Sequence, residues 1–296
     1  MHLAFLGFGL IAGSIARAAR ADSTTSDWPI AAWSPSGDGP RRALADGVVD
    51  VAASDPETAL DAADLVVLAA PATSCLALID RLAGPLRSCL KDDAVVTDVA
   101  STKGAIVARA DAVGLRFVGG HPMAGLETTG YGAARADLFV DRPWVVVPGA
   151  LAGPADVARV TDLAVACSAR VVRLDAAAHD RAVAGISHLP LVLAAALVEA
   201  VAQGPVGSPA RSADDWATAS ALAAGGWRDT TRVARGDPAM GAAIAVTNVP
   251  ALTARLRDLQ AVLDAWLAEL DRPDGPDEAA IRQRLAAARA ILETGR

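Results

Sequence analysis

Short apolar runs alternate with amphipathic segments through roughly the first 175 residues of this chain, and then the runs stop. Leu3–Leu6, Ile30–Trp33, Leu65–Ala69, Val95–Asp98, Arg116–Val118 and Trp144–Val147 are apolar over a few consecutive positions, the pattern of strands buried on both faces. Between them lie helical segments at Leu10–Arg20, Arg41–Asp46, Ala72–Leu82, Lys103–Ala112 and Ala155–Ala169. This alternation predicts a parallel sheet with helices on both faces, closed by a last strand at Val171–Leu174. After Ala176 only helical stretches remain, at about His179–Gln203, Asp214–Ala224, Pro238–Leu270 and Asp277–Glu293. Pro190 is expected to kink the first of these, and Gly204–Asp214, rich in Gly, Pro and Ser, reads as a loop. The pattern therefore predicts an α/β domain over residues 1–175 followed by an all-α domain over residues 176–296.

Composition narrows the function classes. The net charge is −7, with 27 basic against 34 acidic residues, which argues against a nucleic-acid-binding surface. Cys75, Cys89 and Cys167 are scattered and odd in number, so they read as small buried hydrophobes in a reducing compartment. Leu3–Ala18 resembles a secretory leader, yet no lysine or arginine precedes it and glycines interrupt it. Glu199 interrupts the best membrane-span candidate, Leu189–Ala202, so no bilayer-crossing stretch is expected and a cytoplasmic location is.

The first strand runs directly into Gly7-Phe8-Gly9-Leu10-Ile11-Ala12, a G-x-G-x-x-A turn that opens the first helix. In such a turn Gly7 permits the bend, Gly9 lets a pyrophosphate approach the backbone, and small Ala12 allows close helix packing. The amides of Leu10 and Ile11 then present the positive end of the helix to phosphate. Ala70 and Pro71, after the third apolar run, complete this candidate dinucleotide site. A cofactor without a 2′-phosphate is usually held by Asp or Glu after the second strand. Trp33-Ser34-Pro35-Ser36 stands there instead, followed by Arg41 and Arg42. Ser34 with Arg42 suits a 2′-phosphate, so NADP is favoured over NAD.

Gly119-Gly120-His121-Pro122-Met123-Ala124-Gly125 places a histidine on a predicted turn after the strand Arg116–Val118. A side chain that titrates near neutral pH at the carboxyl end of a strand suits proton transfer. Asp98-Val99-Ala100-Ser101-Thr102-Lys103-Gly104 brings a hydroxyl and an ammonium to the same sheet edge, with Ser101 or Thr102 expected to cap the next helix. In the helical half, His179-Asp180 and Ser187-His188-Leu189-Pro190 share one segment, and His179 and His188 are too far apart for a helical metal pair. Gly225–Arg232 reads as a polar stretch between helices, from which Arg232 could fork onto a carboxylate.

Together, Gly7–Ser14, Asp98–Gly104, Gly119–Gly125, His179–Pro190 and Trp227–Arg232 resemble the prephenate/arogenate dehydrogenase family of tyrosine biosynthesis in order and spacing. The resemblance covers nearly the whole chain. It implies a Rossmann-type dinucleotide-binding domain and a helical domain that binds substrate and forms a homodimer. The implied reaction is oxidative decarboxylation of a cyclohexadienol, with His121 as the base that takes the ring-hydroxyl proton and Ser101 positioning it. Arg232 would grip a substrate carboxylate, and Trp227, His188, Leu191 and Glu127 would line the substrate site. Prephenate-specific members commonly carry a second histidine where Leu191 stands, and some carry an aromatic residue at the place of Gly241. Both departures favour arogenate over prephenate. A pH profile with an apparent pKa of about 6.5 is expected for the histidine base. An enzyme for an amino-substituted prephenate and a non-catalytic NAD(P)-binding sensor are the competing readings. A β-hydroxyacid dehydrogenase is disfavoured because the helical half contains no lysine.

Overall fold

A computed structural model describes residues 1–204 and 213–294. Most of the loop predicted over Gly204–Asp214 therefore lies outside the described residues. The elements run β1 (Leu3–Leu6), α1 (Leu10–Ala21), β2 (Ile30–Trp33), α2 (Asp38–Ala45), β3 (Val51–Ala52), α3 (Pro56–Leu60), β4 (Leu65–Leu68) and α4 (Ala72–Ala83). Then come β5 (Val95–Asp98), α5 (Gly104–Ala112), β6 (Phe117–Pro122), β7 (Pro143–Pro148), α6 (Pro154–Ala166) and β8 (Arg170–Arg173). The helical part contains α7 (Ala176–Val183), α8 (Leu189–Ala202), α9 (Ala213–Ala221), α10 (Gly225–Thr231), α11 (Pro238–Thr247), α12 (Val249–Leu270) and α13 (Glu278–Thr294).

The eight strands form one sheet in the order β3-β2-β1-β4-β5-β6-β7-β8. Its first six positions have the 3-2-1-4-5-6 order of a dinucleotide-binding sheet. Successive side chains of one strand point to opposite faces. Leu3 and Phe5 accordingly join one buried cluster with Val67 and Val95, while Ala4 and Leu6 join another with Val66 and Val96. This two-sided burial is why these strands read as unbroken apolar runs, each large side chain contributing about 1.5–3 kcal/mol.

The sheet is not wholly parallel. β7 pairs antiparallel with β6, with His121 opposite Val145. Joining parallel neighbours needs a crossover, usually a helix. Residues 123–142 contain only one short 3₁₀ turn, so the chain returns along the same edge and β7 runs backwards.

α7 and α8 are joined through a widened π turn at Ala184–His188. Pro190 has no N–H for the carbonyl of Ile186, and the wider turn takes up the mismatch that was expected as a kink at Pro190. The resulting helix, Ala176–Ala202, is long and apolar enough to cross a membrane by length and composition alone, correcting the expectation from Glu199. It carries buried His179, Asp180 and His188. Gly225–Arg232, read as a stretch between helices, forms α10 and the turn after it. The predicted helix Pro238–Leu270 breaks at Asn248, two residues before Pro250, which lacks the N–H to continue it.

The chain divides into two compact units, Met1–Val249 and Pro250–Arg296. Within the second, the Arg284 guanidinium lies 4.3 Å above the Trp266 ring and donates to the Val262 carbonyl at 3.1 Å. Leu263, Leu267, Leu285, Ile291 and Leu292 of that unit are exposed.

Candidate active site

His121 lies inside β6 and not on a turn after it. The glycines before it serve close approach: a Cβ on Gly120 would stand 2.6 Å from the Asp98 carbonyl oxygen, and one on Gly119 would stand 3.0 Å from Cδ of Lys103. His121 is thereby seated among buried polar groups at the carboxyl edge of the sheet. Lys103 and Asp98 beside it are fully buried and form an ion pair, and the two Asp98 oxygens also accept from the amides of Ala100 at 3.0 Å and Gly120 at 3.2 Å.

A hydrogen-bonded chain runs back from His121. Its Nδ1 lies 2.8 Å from Nε2 of His179, and Nδ1 of His179 lies 2.8 Å from Oδ1 of Asp180. Asp180 also accepts from the amides of Lys103 and Gly104, both at 2.8 Å. These amides open α5, so the cap expected from Ser101 or Thr102 comes instead from a residue far along the chain. Thr102 is bonded to Thr247 at 2.8 Å. Burial opposes ionisation of Asp180, but the bonds from His179, Lys103 and Gly104 outweigh it and hold the carboxyl below its usual range. An ionised Asp180 accepts only, so His179 carries its proton on Nδ1. Nε2 of His179 then accepts, His121 donates through Nδ1, and Nε2 of His121 is left as a proton acceptor. Burial and the Lys103 charge push the His121 pKa well below 6.5, so it is neutral at physiological pH, and the acid limb expected near 6.5 moves lower.

His188 is set in a similar way. The Asn248 side chain donates to the Asp180 carbonyl at 2.9 Å and lies 3.2 Å from Nδ1 of His188. His188 therefore accepts at Nδ1 and carries its proton on a buried Nε2 that has no partner among the described residues. The main chain of Ser101 faces this imidazole.

The cofactor turn meets the requirements of a dinucleotide. Gly7 has φ +93°, and a Cβ there would stand 2.5 Å from the Ala69 carbonyl oxygen, beside Ala70 and Pro71. Nothing lies within 4 Å of the place where a Gly9 Cβ would be, and no side chain among the described residues caps α1, so the first amides of the helix have no side-chain acceptor. At the end of β2 the Ser34 hydroxyl is buried and has no partner among the described residues. Arg41 crosses Gly37 and is held by Asp38 and, at 3.2 Å, by the Ser36 carbonyl. Arg42, the arginine expected here, instead lies against Gly132 with its guanidinium 5.9 Å from the Tyr131 ring centroid.

On the substrate side, Arg232 and Glu127 form an ion pair, each about half exposed, and Arg232 holds the Glu127 carboxyl below its usual range. Trp227 on α10 is half-buried, its ring 6.0 Å from that of Trp216. Leu191 on α8 reaches within 3.5 Å of a Cβ position on Gly241 of α11, so the two departures from the prephenate pattern are neighbours. His179, Asp180, Lys103 and Asn248 were not among the residues assigned to the site from sequence. The adjacent His179-Asp180 dipeptide and the ammonium of Lys103 beside Ser101 and Thr102 are the signals the sequence carries for them, and Asn248 has none.

The family model for the nucleotide-binding domain of prephenate dehydrogenase matches residues 23–173, and that for its dimerisation domain matches residues 175–280. Prephenate dehydrogenase of Bacillus subtilis is 32% identical over 90% of this chain and 67% of its own length. Cyclohexadienyl dehydrogenase of Zymomonas mobilis is 31% identical over 92% of this chain and 86% of its own. The crystal structure of Synechocystis arogenate dehydrogenase superposes with a TM-score of 0.77 at 31% identity, covering 99% of this chain and 100% of that one. The matched nucleotide-binding domain and the open glycine turn identify a nicotinamide dinucleotide as the cofactor. In sequence, sheet order and helical second part alike, the chain belongs to the prephenate dehydrogenase family.

Proposed function

We propose that this chain oxidatively decarboxylates arogenate to tyrosine in the cytoplasm, as a homodimer that prefers NADP to NAD. Residues 1–175 would bind the cofactor, and residues 176–296 the substrate and the second copy. The carrying observation is the Nε2 of His121, left as an acceptor by the hydrogen-bonded chain through His179 to Asp180. When bound, the nicotinamide supplies the hydride acceptor. His121 takes the proton of the ring hydroxyl as hydride leaves the same carbon. Loss of CO₂ then aromatises the ring, and the proton returns to the phenolate oxygen, so arogenate and NADP⁺ give tyrosine, CO₂ and NADPH. Ser101, in the loop after β5, would position the base and the nicotinamide through its hydroxyl. Arg232 exchanges its bond to Glu127 for a substrate carboxylate, a charge-assisted contact that fixes the ring. Trp227 and His188 complete the walls.

The preference for arogenate rests on Leu191 beside Gly241, an apolar pair that offers no imidazole to a ketoacid side chain. Prephenate is the alternative that the relatives' names support. The NADP preference rests on the missing carboxylate after β2, the buried Ser34 hydroxyl and the guanidinium of Arg41. Measuring kcat/KM for both substrates with both cofactors, in wild type and His121→Asn, tests all three statements. Higher kcat/KM with prephenate overturns the substrate, higher kcat/KM with NAD overturns the cofactor, and substantial activity of His121→Asn overturns the base. Leu191→His is expected to move the ratio toward prephenate.

A further inference from the structure

The histidine and aspartate behind His121 are more deeply built in than a supporting contact requires. His179 is 1% exposed, and its ring meets that of His121 edge-on at 73° with centroids 5.1 Å apart. The Asp180 carboxylate is shared between His179 and the two amides that open α5. One residue thus sets both the base and the Ser101–Gly104 connection.

Proton abstraction would leave a positive charge somewhere in this buried cluster. On His121 it would lie next to the Lys103 ammonium, without a carboxylate in contact. On His179 it would lie 2.8 Å from Asp180. The titratable groups packed around the chain are His121 on β6, Asp98 and Lys103 from the β5–α5 connection, and Asp180 and His188 on the same helix as His179. Asp98 is already matched by Lys103, so Asp180 is the carboxylate free to balance a new charge.

We propose that His179 and Asp180 are positioning residues that also hold the substrate's proton during the reaction. This rests on the reading of His121 as the base. The substrate O–H breaks as a bond forms to Nε2 of His121, and the Nδ1 proton of His121 moves to Nε2 of His179. His179 then bears two N–H groups and a positive charge against Asp180. Once CO₂ has left, both transfers reverse and the proton returns to the phenolate oxygen. No external acid or oxidant beyond the cofactor enters the balance, and the buried base never keeps the charge.

The test uses the full-length enzyme. In wild type, nitrogen NMR of the imidazoles at neutral pH is expected to show His121 protonated on Nδ1 only. Protonation on Nε2 only overturns the relay without any variant. His179→Gln keeps an amide oxygen to accept from His121 but cannot take a proton. It should lower kcat about 100-fold with KM changed less than about threefold. The proton inventory in mixed H₂O and D₂O should be curved for wild type and linear for His179→Gln. Asp180→Asn should invert the His121 tautomer and cost about 10⁴ in kcat, the effect of the corresponding amide in a hydrogen-bonded catalytic triad. A His179→Gln enzyme with kcat within threefold of wild type, or with an unchanged inventory, overturns the proposal. If His121→Asn is inactive while His179→Gln is normal, only the relay fails. If His121→Asn is active, the base itself fails.

Discussion

Replacing Lys103 with methionine would remove one half of an ion pair whose two side chains have no exposure to solvent. The chain volume is nearly kept, so little of the effect is a cavity. What remains is the Asp98 carboxylate, buried with only the amides of Ala100 and Gly120 as partners. Removing one member of a buried pair typically costs about 3–5 kcal/mol, against a total stability of about 5–15 kcal/mol for a folded domain. For a chain of this size that corresponds to a fall in Tm on the order of 10 °C. The double variant Asp98→Asn/Lys103→Met deletes both charges and leaves the asparagine one acceptor short. Its expected cost is about 1–3 kcal/mol, the range for one unsatisfied buried group, so it should be more stable than Lys103→Met alone. Removing the Lys103 charge also relieves the pressure on His121, and the acid limb of kcat/KM should move up toward 6.5 in the double variant. Chemical denaturation of the four proteins in a mutant cycle, with a pH profile of the two soluble extremes, measures both effects. A Lys103→Met protein within about 1 kcal/mol of wild type, or a double variant no more stable than it, would refute the argument.

Stability should also depend on pH through the histidines. His121 and His188 have folded pKa values below 6.5, so below that pH the unfolded chain binds more protons and stability falls, by up to about 1.4 kcal/mol per pH unit for each group; flat Tm values between pH 5 and 7 would contradict this. Gly9→Val points a side chain into open space, so Tm should stay within the change of about 0.5 kcal/mol typical of surface sites while the Kd for NADPH, read by fluorescence, rises at least about tenfold. Gly120→Ala should do the reverse, costing about 1–3 kcal/mol by overpacking against the Asp98 carbonyl, and wild-type stability in denaturation would show that β6 has more room than its contacts imply.

Much of the architecture can be read along the chain because its cause is local. β1, β4 and β5 are buried on both faces and β2 on one, so their apolar runs have the same boundaries to within a residue. The glycine turn is recognisable because Gly7 needs a positive φ and Gly9 needs open space, both properties of single positions. The misreadings have distant causes. Gly119 and Gly120 resemble a turn, yet their neighbours are Lys103 and Asp98, brought there by the sheet. The cap of α5 comes from Asp180, which no local rule would find. An apolar run carries no direction, so Trp144–Val147 identified a strand but not its antiparallel pairing. His179 shows no partner along its own segment, because the group it bonds, His121, lies 58 positions earlier. Where Arg41 and Arg42 go is likewise set from outside α2, since Arg42 lies against Tyr131 and Gly132.

The reversal of β7 has a consequence for how this enzyme can change. Because the chain turns back at the edge that carries His121, residues 123–142 form one connection that reaches both Arg232 and the glycine turn. Near its start Glu127 pairs with Arg232, and a few residues on Tyr131 stacks on Phe8 of the glycine turn at 5.7 Å and fills the space beside Gly13. With the substrate role proposed for Arg232 and Glu127, selection for a new substrate through this segment would act on the glycine turn at the same time. Grafting it from a relative would replace the partner of Arg232 together with a neighbour of the glycine turn, whereas Leu191 and Gly241 are carried on helices apart from that segment.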